Sequence, residues 1–120
     1  MIGWSSIAYG AALSAMFTAA VAALVTRRLL VTVMLAVAAA AGPLGWNAVL
    51  RATHAREFFT DAPVAVFPIS WQDTGSGVTT LAVAAAVLGL GPLASDPARR
   101  VIALAALTGL ITCLVDVYLY

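Results

Sequence analysis

The sequence has little charge, no lysine, one histidine and one cysteine. Its six arginines and five acidic residues make up 9% of the 120 residues, whereas an ordinary soluble domain is about 25% charged. The net charge of +1 provides no broad basic surface, so we expect no nucleic-acid partner. The single cysteine, Cys113, excludes an internal disulfide and a metal site built of cysteines alone.

What the sequence has in abundance is apolar residues. They make up 63% of the chain, and the mean hydropathy is +1.05. A soluble fold of this length could not keep so much apolar surface out of water, so the lipid bilayer is the expected solvent. Because no positive charge precedes the first apolar run, we expect a retained helix there and not a cleaved signal peptide.

Four apolar segments predict an all-α integral membrane protein with a single membrane domain over residues 1–120. Each segment is predicted to cross the bilayer in an up-down bundle, although the third is short for a hydrocarbon core of about 30 Å. A long extracytoplasmic connection, 51–77, would join the second helix to the third. The predicted spans are residues 2–25, 29–50, 78–94 and 101–120.

The arginines predict an orientation. The two short connections hold Arg27, Arg28, Arg99 and Arg100, and the positive-inside bias places both in the cytoplasm, although Arg51 and Arg56 depart from this pattern. Both termini would then be extracytoplasmic, in a multi-pass protein of the bacterial inner membrane. The aromatic belt expected at the outer interface comprises Trp4, Trp46, Trp71, Tyr118 and Tyr120.

Small residues at helical spacing predict surfaces where helices approach closely in lipid. On the first helix this stripe comprises Ala8, Ala12, Ala15, Ala19 and Ala23, and on the fourth it comprises Ala105, Gly109, Thr112 and Asp116. In the second helix, Gly42 is followed by Pro43, which removes a backbone hydrogen bond and predicts a kink.

Asp116 is the most costly residue to place in a membrane. A carboxylate within a span costs on the order of 2.5–3.5 kcal/mol at mid-helix, and less near the interface. Asn47 and Arg51, one turn apart on the second helix, are its candidate partners at the same depth. An Arg51–Asp116 ion pair would fasten the outer ends of two helices. Proton or ion coupling, or contact with a partner subunit, are the alternatives.

The start of the 51–77 connection carries ligand-type side chains. On a continued helix His54, Glu57 and Asp61 would share one face, which we interpret as solvated, with no metal and no cofactor predicted. A neighbouring cationic and aromatic patch would suit an anionic lipid headgroup, such as that of a polyprenyl-phosphate carrier. The patch comprises Arg51, His54, Arg56, Phe58 and Phe59.

The tetrapeptide Asp73-Thr74-Gly75-Ser76 is typical of half of an aspartic protease site. That chemistry needs two carboxylates on loops of a β-rich fold, whereas apolar helical segments flank this one. We therefore expect Asp73, Thr74 or Ser76 to cap the third helix, and Gly75 and Gly77 to turn the chain.

The apolar stretch 64–71 is too short to cross a bilayer and too apolar to lie free in water. We expect it to form a lid over the outer mouth of the bundle or a docking segment for a partner. With the small-residue stripes and the lack of a deep polar pathway, it favours a non-enzymatic small membrane subunit or accessory factor. Its outer loop would contact a larger membrane or envelope complex, or a second copy of the chain.

Two other functions stay open. An oligomeric transporter or channel for a small solute or ion would use Asn47 and Asp116. A membrane enzyme or binder of a lipid-linked substrate would use polar residues at the outer face, namely Arg51, His54, Arg56, Glu57 and Asp73.

Overall fold

The computed structural model describes residues 3–119, and this part of the chain is helical without a strand. A single 3₁₀ turn, Arg56–Phe59, lies in the connection between the second and third helices. The four helices are α1 (Trp4–Thr26), α2 (Leu29–Ala52), α3 (Trp71–Gly89) and α4 (Ala98–Leu119). The all-α prediction is therefore confirmed. The predicted outer ends at residues 2 and 120, with the belt residue Tyr120, lie outside the described residues.

Three of these helices, α1, α2 and α4, are long and apolar enough to cross a membrane. Their outward-facing side chains are large and apolar, as at Leu24, Leu29 and Ile102, which are 79%, 80% and 59% exposed. Exposed apolar surface on this scale is typical of contact with lipid or protein and not with water. The structure therefore supports membrane association.

The third helix differs from its prediction. It begins at Trp71 instead of residue 78, and Ser70 is its N-cap, so the prediction that Asp73, Thr74 or Ser76 caps it is wrong. The backbone N–H of Asp73 donates to Ser70 Oγ at 3.2 Å, and the N–H of Ser70 donates to Asp73 Oδ2 at 2.9 Å. This reciprocal capping box satisfies two backbone donors and starts the helix within the predicted connection.

The helices form a closed ring of neighbours, because α1 packs on α2, α2 on α3, α3 on α4, and α4 on α1. Near the two short connections the interior is apolar and every helix contributes to it. We call this cluster the apolar core; it comprises Ala22, Val31, Leu35, Ala38, Ala84, Leu88, Leu93, Val101, Leu104 and Ala105. The opposite end of the bundle, which holds Asn47, Gln72 and Asp116, is called the polar end.

The predicted small-residue stripe of α4 is buried, as expected. The prediction for α1 is wrong, because other residues form its buried face. Ala8, Ala12 and Ala23 of α1 are exposed. The buried face lies one residue earlier along the helix and comprises Ile7, Ala11, Ser14, Thr18 and Ala22. In a helix that is apolar all round, spacing alone does not distinguish the inner face from the outer one.

Glycines bring α3 against both of its neighbours. A Cβ at Gly109 of α4 would lie 2.7 Å from the carbonyl oxygen of Gly77, and one at Gly42 of α2 would lie 2.7 Å from Thr80 Cα. Gly75 likewise lies against the indole of Trp46. Gly75 and Gly77 are inside α3, so the prediction that they turn the chain is wrong. They allow close backbone packing instead.

We expect Gly42→Ala to destabilise the bundle by about 1–3 kcal/mol, the usual cost of forcing extra volume into a packed interface. The new methyl group would meet the backbone of Thr80, which cannot move independently of α3. Gly45→Ala is the matched control, because it is on the same helix beyond Pro43 and nothing lies within 4 Å of its Cβ position. The measurement is thermal unfolding of both variants in mild detergent. Equal unfolding temperatures would contradict the close α2–α3 contact.

Candidate functional site

Three buried polar side chains meet inside the polar end of the bundle. Gln72 Nε2 lies 3.3 Å from Asn47 Oδ1 and 3.5 Å from Asp116 Oδ2, so one amide donates toward side chains of two other helices. Asn47, Gln72 and Asp116 are at most 3% exposed. We call these three residues the amide–carboxylate cluster. It joins α2, α3 and α4 at one level of the bundle.

Local structure sets the position of each member. Asn47 Nδ2 donates to the carbonyl oxygen of Pro43 at 2.8 Å, which directs its Oδ1 toward Gln72. Gln72 is held in the first turn of α3 by the capping box of Ser70 and Asp73. The carboxylate of Asp73 therefore accepts from the N-cap of α3, and the side chain of Gln72 reaches Asn47 and Asp116.

Buried hydroxyl groups continue from this cluster toward the apolar core. Among residues 3–119, five buried hydroxyl oxygens on α1, α3 and α4 have no hydrogen-bond partner. We call them the hydroxyl column; its members are Ser14, Thr18, Ser76, Thr80 and Thr112. A buried hydroxyl without a partner is rare in proteins, and each one requires a physical explanation. These hydroxyl groups show that polar atoms lie deep in the bundle.

The hydroxyl column follows the helical repeat. On α3 the spacing of four residues takes Gln72 to Ser76 and then to Thr80, and on α4 it takes Asp116 to Thr112. The next turn beyond Thr80 is Ala84, which belongs to the apolar core. Polar and apolar halves of the interior thus meet directly, about 12 Å along α3 from Gln72 at about 1.5 Å per residue.

The predicted ligand face in the connection does not form. The second helix ends at Ala52, and His54 adopts a left-handed backbone conformation with φ of 54°. The chain therefore leaves the helical path before Glu57 and Asp61, which are exposed with Arg56. No group of three histidine, cysteine or acidic residues within residues 3–119 is arranged to hold a metal ion. The prediction that His54, Glu57 and Asp61 share one helix face is wrong.

The predicted cationic and aromatic patch is divided between two contacts. The guanidinium carbon of Arg51 lies 4.8 Å from the ring centroid of Trp4. This contact joins the start of α1 to the end of α2. The ring of Phe58 lies 6.1 Å from that of Trp46, and Phe59 is partly buried beside it in the same 3₁₀ turn. Arg51 and the aromatic rings therefore help to hold the polar end together. The Arg51–Asp116 ion pair stays a prediction.

The 53–70 connection packs on the end of α4. The hydroxyl of Tyr118 donates to the carbonyl oxygen of Val66 at 2.7 Å, and the rings of Phe67 and Tyr118 lie 6.2 Å apart. The side chains of Val64 and Val66 point away from the bundle and are 52% and 82% exposed. Beside the start of α3, a cavity of about 310 Å³ is lined by Thr60, Asp61, Ala62, Ile69, Ser70, Trp71 and Thr74.

Sequence reasoning found Asn47, Asp116 and the buried position of Thr112, but missed Gln72 and the buried hydroxyls of α1 and α3. It assigned Gln72 to a loop, because the third helix was predicted to begin at residue 78 and not at Trp71. The regular spacing of Gln72, Ser76 and Thr80 was the available signal, since polar residues four apart on an apolar helix share one face.

A double-mutant cycle on Gln72→Met and Asn47→Leu tests whether the cluster is an energetic unit. Because the two amides contact one another, we expect a coupling energy of about 0.5–1.5 kcal/mol in the unfolding free energy. The control cycle pairs Gln72→Met with Thr53→Val, whose hydroxyl bonds within α2 outside the cluster. Additive effects in the first cycle would contradict the Gln72–Asn47 contact.

Comparisons with known proteins identify no relative of this bundle. No family model, no curated protein and no solved structure matches the chain. What the protein does must therefore be inferred from its own side chains.

Proposed function

We propose that the protein is a small membrane transporter or channel that takes a small polar solute or ion into its interior. Asn47 and Asp116, bridged by Gln72, form the entrance at the polar end, and the hydroxyl column leads inward from them. The observation that carries this proposal is the polarity of the interior, because apolar side chains cover the outside while buried polar groups line the inside.

The energetic cost of that interior supports a functional role. An unpaired buried hydroxyl costs about 1–3 kcal/mol relative to a paired one. Alanine or valine at Ser76 or Thr80 would avoid this cost and still fill the space, so stability alone gives no reason for these hydroxyls. A guest molecule that accepts or donates hydrogen bonds there would offset the cost.

We infer further that the bundle is antiparallel and that its polar end faces outside. Arg51 contacts Trp4 at this end, and Gln72 contacts both Asn47 and Asp116. Under the positive-inside rule, the arginines of the short connections place the apolar core toward the cytoplasm. Passage across the membrane then requires the apolar core to open, by rearrangement of the helices or within an oligomer.

We expect Asp116→Asn to abolish solute flux in proteoliposomes, since it removes the only carboxylate of the entrance. The control is Asp96→Asn, which removes a partly buried carboxylate 3.7 Å from Arg100 in the short connection. The readout is the uptake rate of a panel of small polar solutes and ions, with size-exclusion profiles to verify folding. Unchanged flux in the Asp116→Asn variant would contradict the role of Asp116 at the entrance. Absence of any flux in the wild type would overturn the proposed function.

A second candidate function is that of an accessory subunit. Val64 and Val66 present apolar side chains outward from the 53–70 connection, which Tyr118 holds against the bundle. Exposed apolar groups on an ordered segment suit contact with a larger membrane or envelope complex.

The accessory role predicts that Val64→Ser combined with Val66→Ser releases a protein partner in mild detergent without unfolding the bundle. Val25→Ser, at an exposed position near the opposite end of α1, is the control for a general loss of apolar surface. Native mass spectrometry measures the partner and the oligomeric state together. A monomeric wild-type protein without any partner would exclude this second function.

A further inference from the structure

We propose that a cavity between the 53–70 connection and the start of α3 binds an alkylated ammonium ion such as choline. The cavity has a volume of about 310 Å³, and Asp61, Trp71 and Thr74 are among its lining residues. We call it the lateral cavity. Its volume is at the lower end of the range of about 300–1,000 Å³ for ligand sites, so it suits a small guest. The inference is independent of the proposed transport, because the lateral cavity shares no residue with the amide–carboxylate cluster or the hydroxyl column.

The lateral cavity lies on the side of α3 that faces away from the bundle interior. At about 100° of rotation per residue, Thr74 lies about 160° around the helix from Gln72. Trp71 is 67% exposed, whereas Gln72 is buried. The connection forms the opposite wall, where the backbone N–H of Ala62 donates to the carbonyl oxygen of Ile69 at 2.7 Å and both residues line the cavity. A guest can therefore enter from outside without any opening of the bundle.

The charges around the lateral cavity favour a cation. Asp61 lines it with an exposed carboxylate, and no arginine within residues 3–119 forms an ion pair with this group. The start of α3 carries the equivalent of about half a positive charge, which by itself would favour an anion. However, the carboxylate of Asp73 already accepts from the N–H of Ser70 at that helix start, at 2.9 Å. The full negative charge of Asp61 therefore dominates the field in the cavity.

The other lining groups favour a cation that carries methyl groups. Trp71 supplies an indole ring, and tryptophan is the aromatic side chain that attracts cations most strongly. The hydroxyl of Thr74 donates to the carbonyl oxygen of Ser70 at 3.1 Å, so its oxygen is left to accept from a guest. Ala62 and Ile69 add apolar surface. A carboxylate, an indole and an apolar wall together match the charge and the methyl groups of an alkylated ammonium ion.

A metal ion suits the lateral cavity less well. Calcium takes about six to eight oxygen ligands, whereas Asp61 is the only acidic residue within residues 3–119 that lines the cavity. No group of three histidine, cysteine or acidic residues in this part of the chain is arranged to hold a metal. An alkylated ammonium ion needs no such set of ligands, since its methyl groups pack directly on an aromatic ring. Choline in solution and the phosphocholine headgroup of a lipid share this chemistry.

The test titrates the protein in maltoside micelles with choline, and calorimetry and tryptophan fluorescence measure binding. The control ligand is dimethylbutanol, the neutral analogue of choline in which a carbon atom replaces the nitrogen. We expect saturable binding of choline and none of the alcohol. Asp61→Asn and Trp71→Leu should each weaken choline binding by about two- to fivefold, the effect of losing an exposed ion pair or a cation–π contact. Glu57→Gln is the matched control, because it removes an exposed carboxylate of the same connection that does not line the cavity.

Salt and thermal unfolding separate a lost charge from a damaged fold. Raising the ionic strength should weaken choline binding to the wild type and to Glu57→Gln, but should have little effect on Asp61→Asn. Because the changed side chains are exposed, all three variants should unfold at the wild-type temperature.

Three results would overturn the ammonium site: no binding of choline, equal binding of dimethylbutanol, or equal affinities of Asp61→Asn and the wild type. None of them concerns solute flux, so the proposed transport would stand or fall separately. A parallel titration with glycerophosphocholine assigns the source of the ligand. Tighter binding of this headgroup than of choline indicates a lipid, and weaker binding indicates a dissolved solute. Either result supports recognition of the ammonium group.

Discussion

The close packing of α3 between α2 and α4 is the contact on which the rest of the structure depends. Gly42 lets Thr80 approach the backbone of α2, and Gly77 and Gly109 bring the backbones of α3 and α4 together. At these separations the side chain of Gln72 reaches both Asn47 and Asp116. In lipid, such contacts replace the hydrophobic effect as the source of helix association. The polar cluster therefore depends on glycines located five to seven residues from its members on the same helices.

The bundle inverts the usual distribution of polarity at one end only. Near the short connections it has an apolar interior, whereas at the other end amides, a carboxylate and hydroxyls are buried behind an apolar exterior. Lipid cannot satisfy polar groups from outside, so those at the polar end must bond with one another or with a guest. Gln72 does so with its neighbours, and the hydroxyl column does not. This difference separates a structural cluster from a proposed binding surface.

The 53–70 connection also owes its position to the bundle. Backbone hydrogen bonds within it, such as that from the N–H of Ala62 to the carbonyl oxygen of Ile69 at 2.7 Å, fold the connection on itself. Tyr118 at the end of α4 holds it through Val66 and Phe67. Because the connection and the entrance share this end, a partner bound to Val64 and Val66 would lie near the amide–carboxylate cluster. The two candidate functions are therefore compatible within one molecule.

Composition and hydropathy by themselves determined that the chain is helical and suited to a membrane, because 63% apolar residues leave few other folds. They also identified Asp116 and Asn47, since a charge or an amide is conspicuous in an apolar helix. Only the tertiary structure decided that the buried face of α1 includes Ser14 and not Ala12. It also decided that Gln72 belongs to a helix. The reason is physical: a helix that is apolar all round has no periodicity to mark its inner face, and the Ser70–Asp73 cap overrides the glycines that suggest a turn.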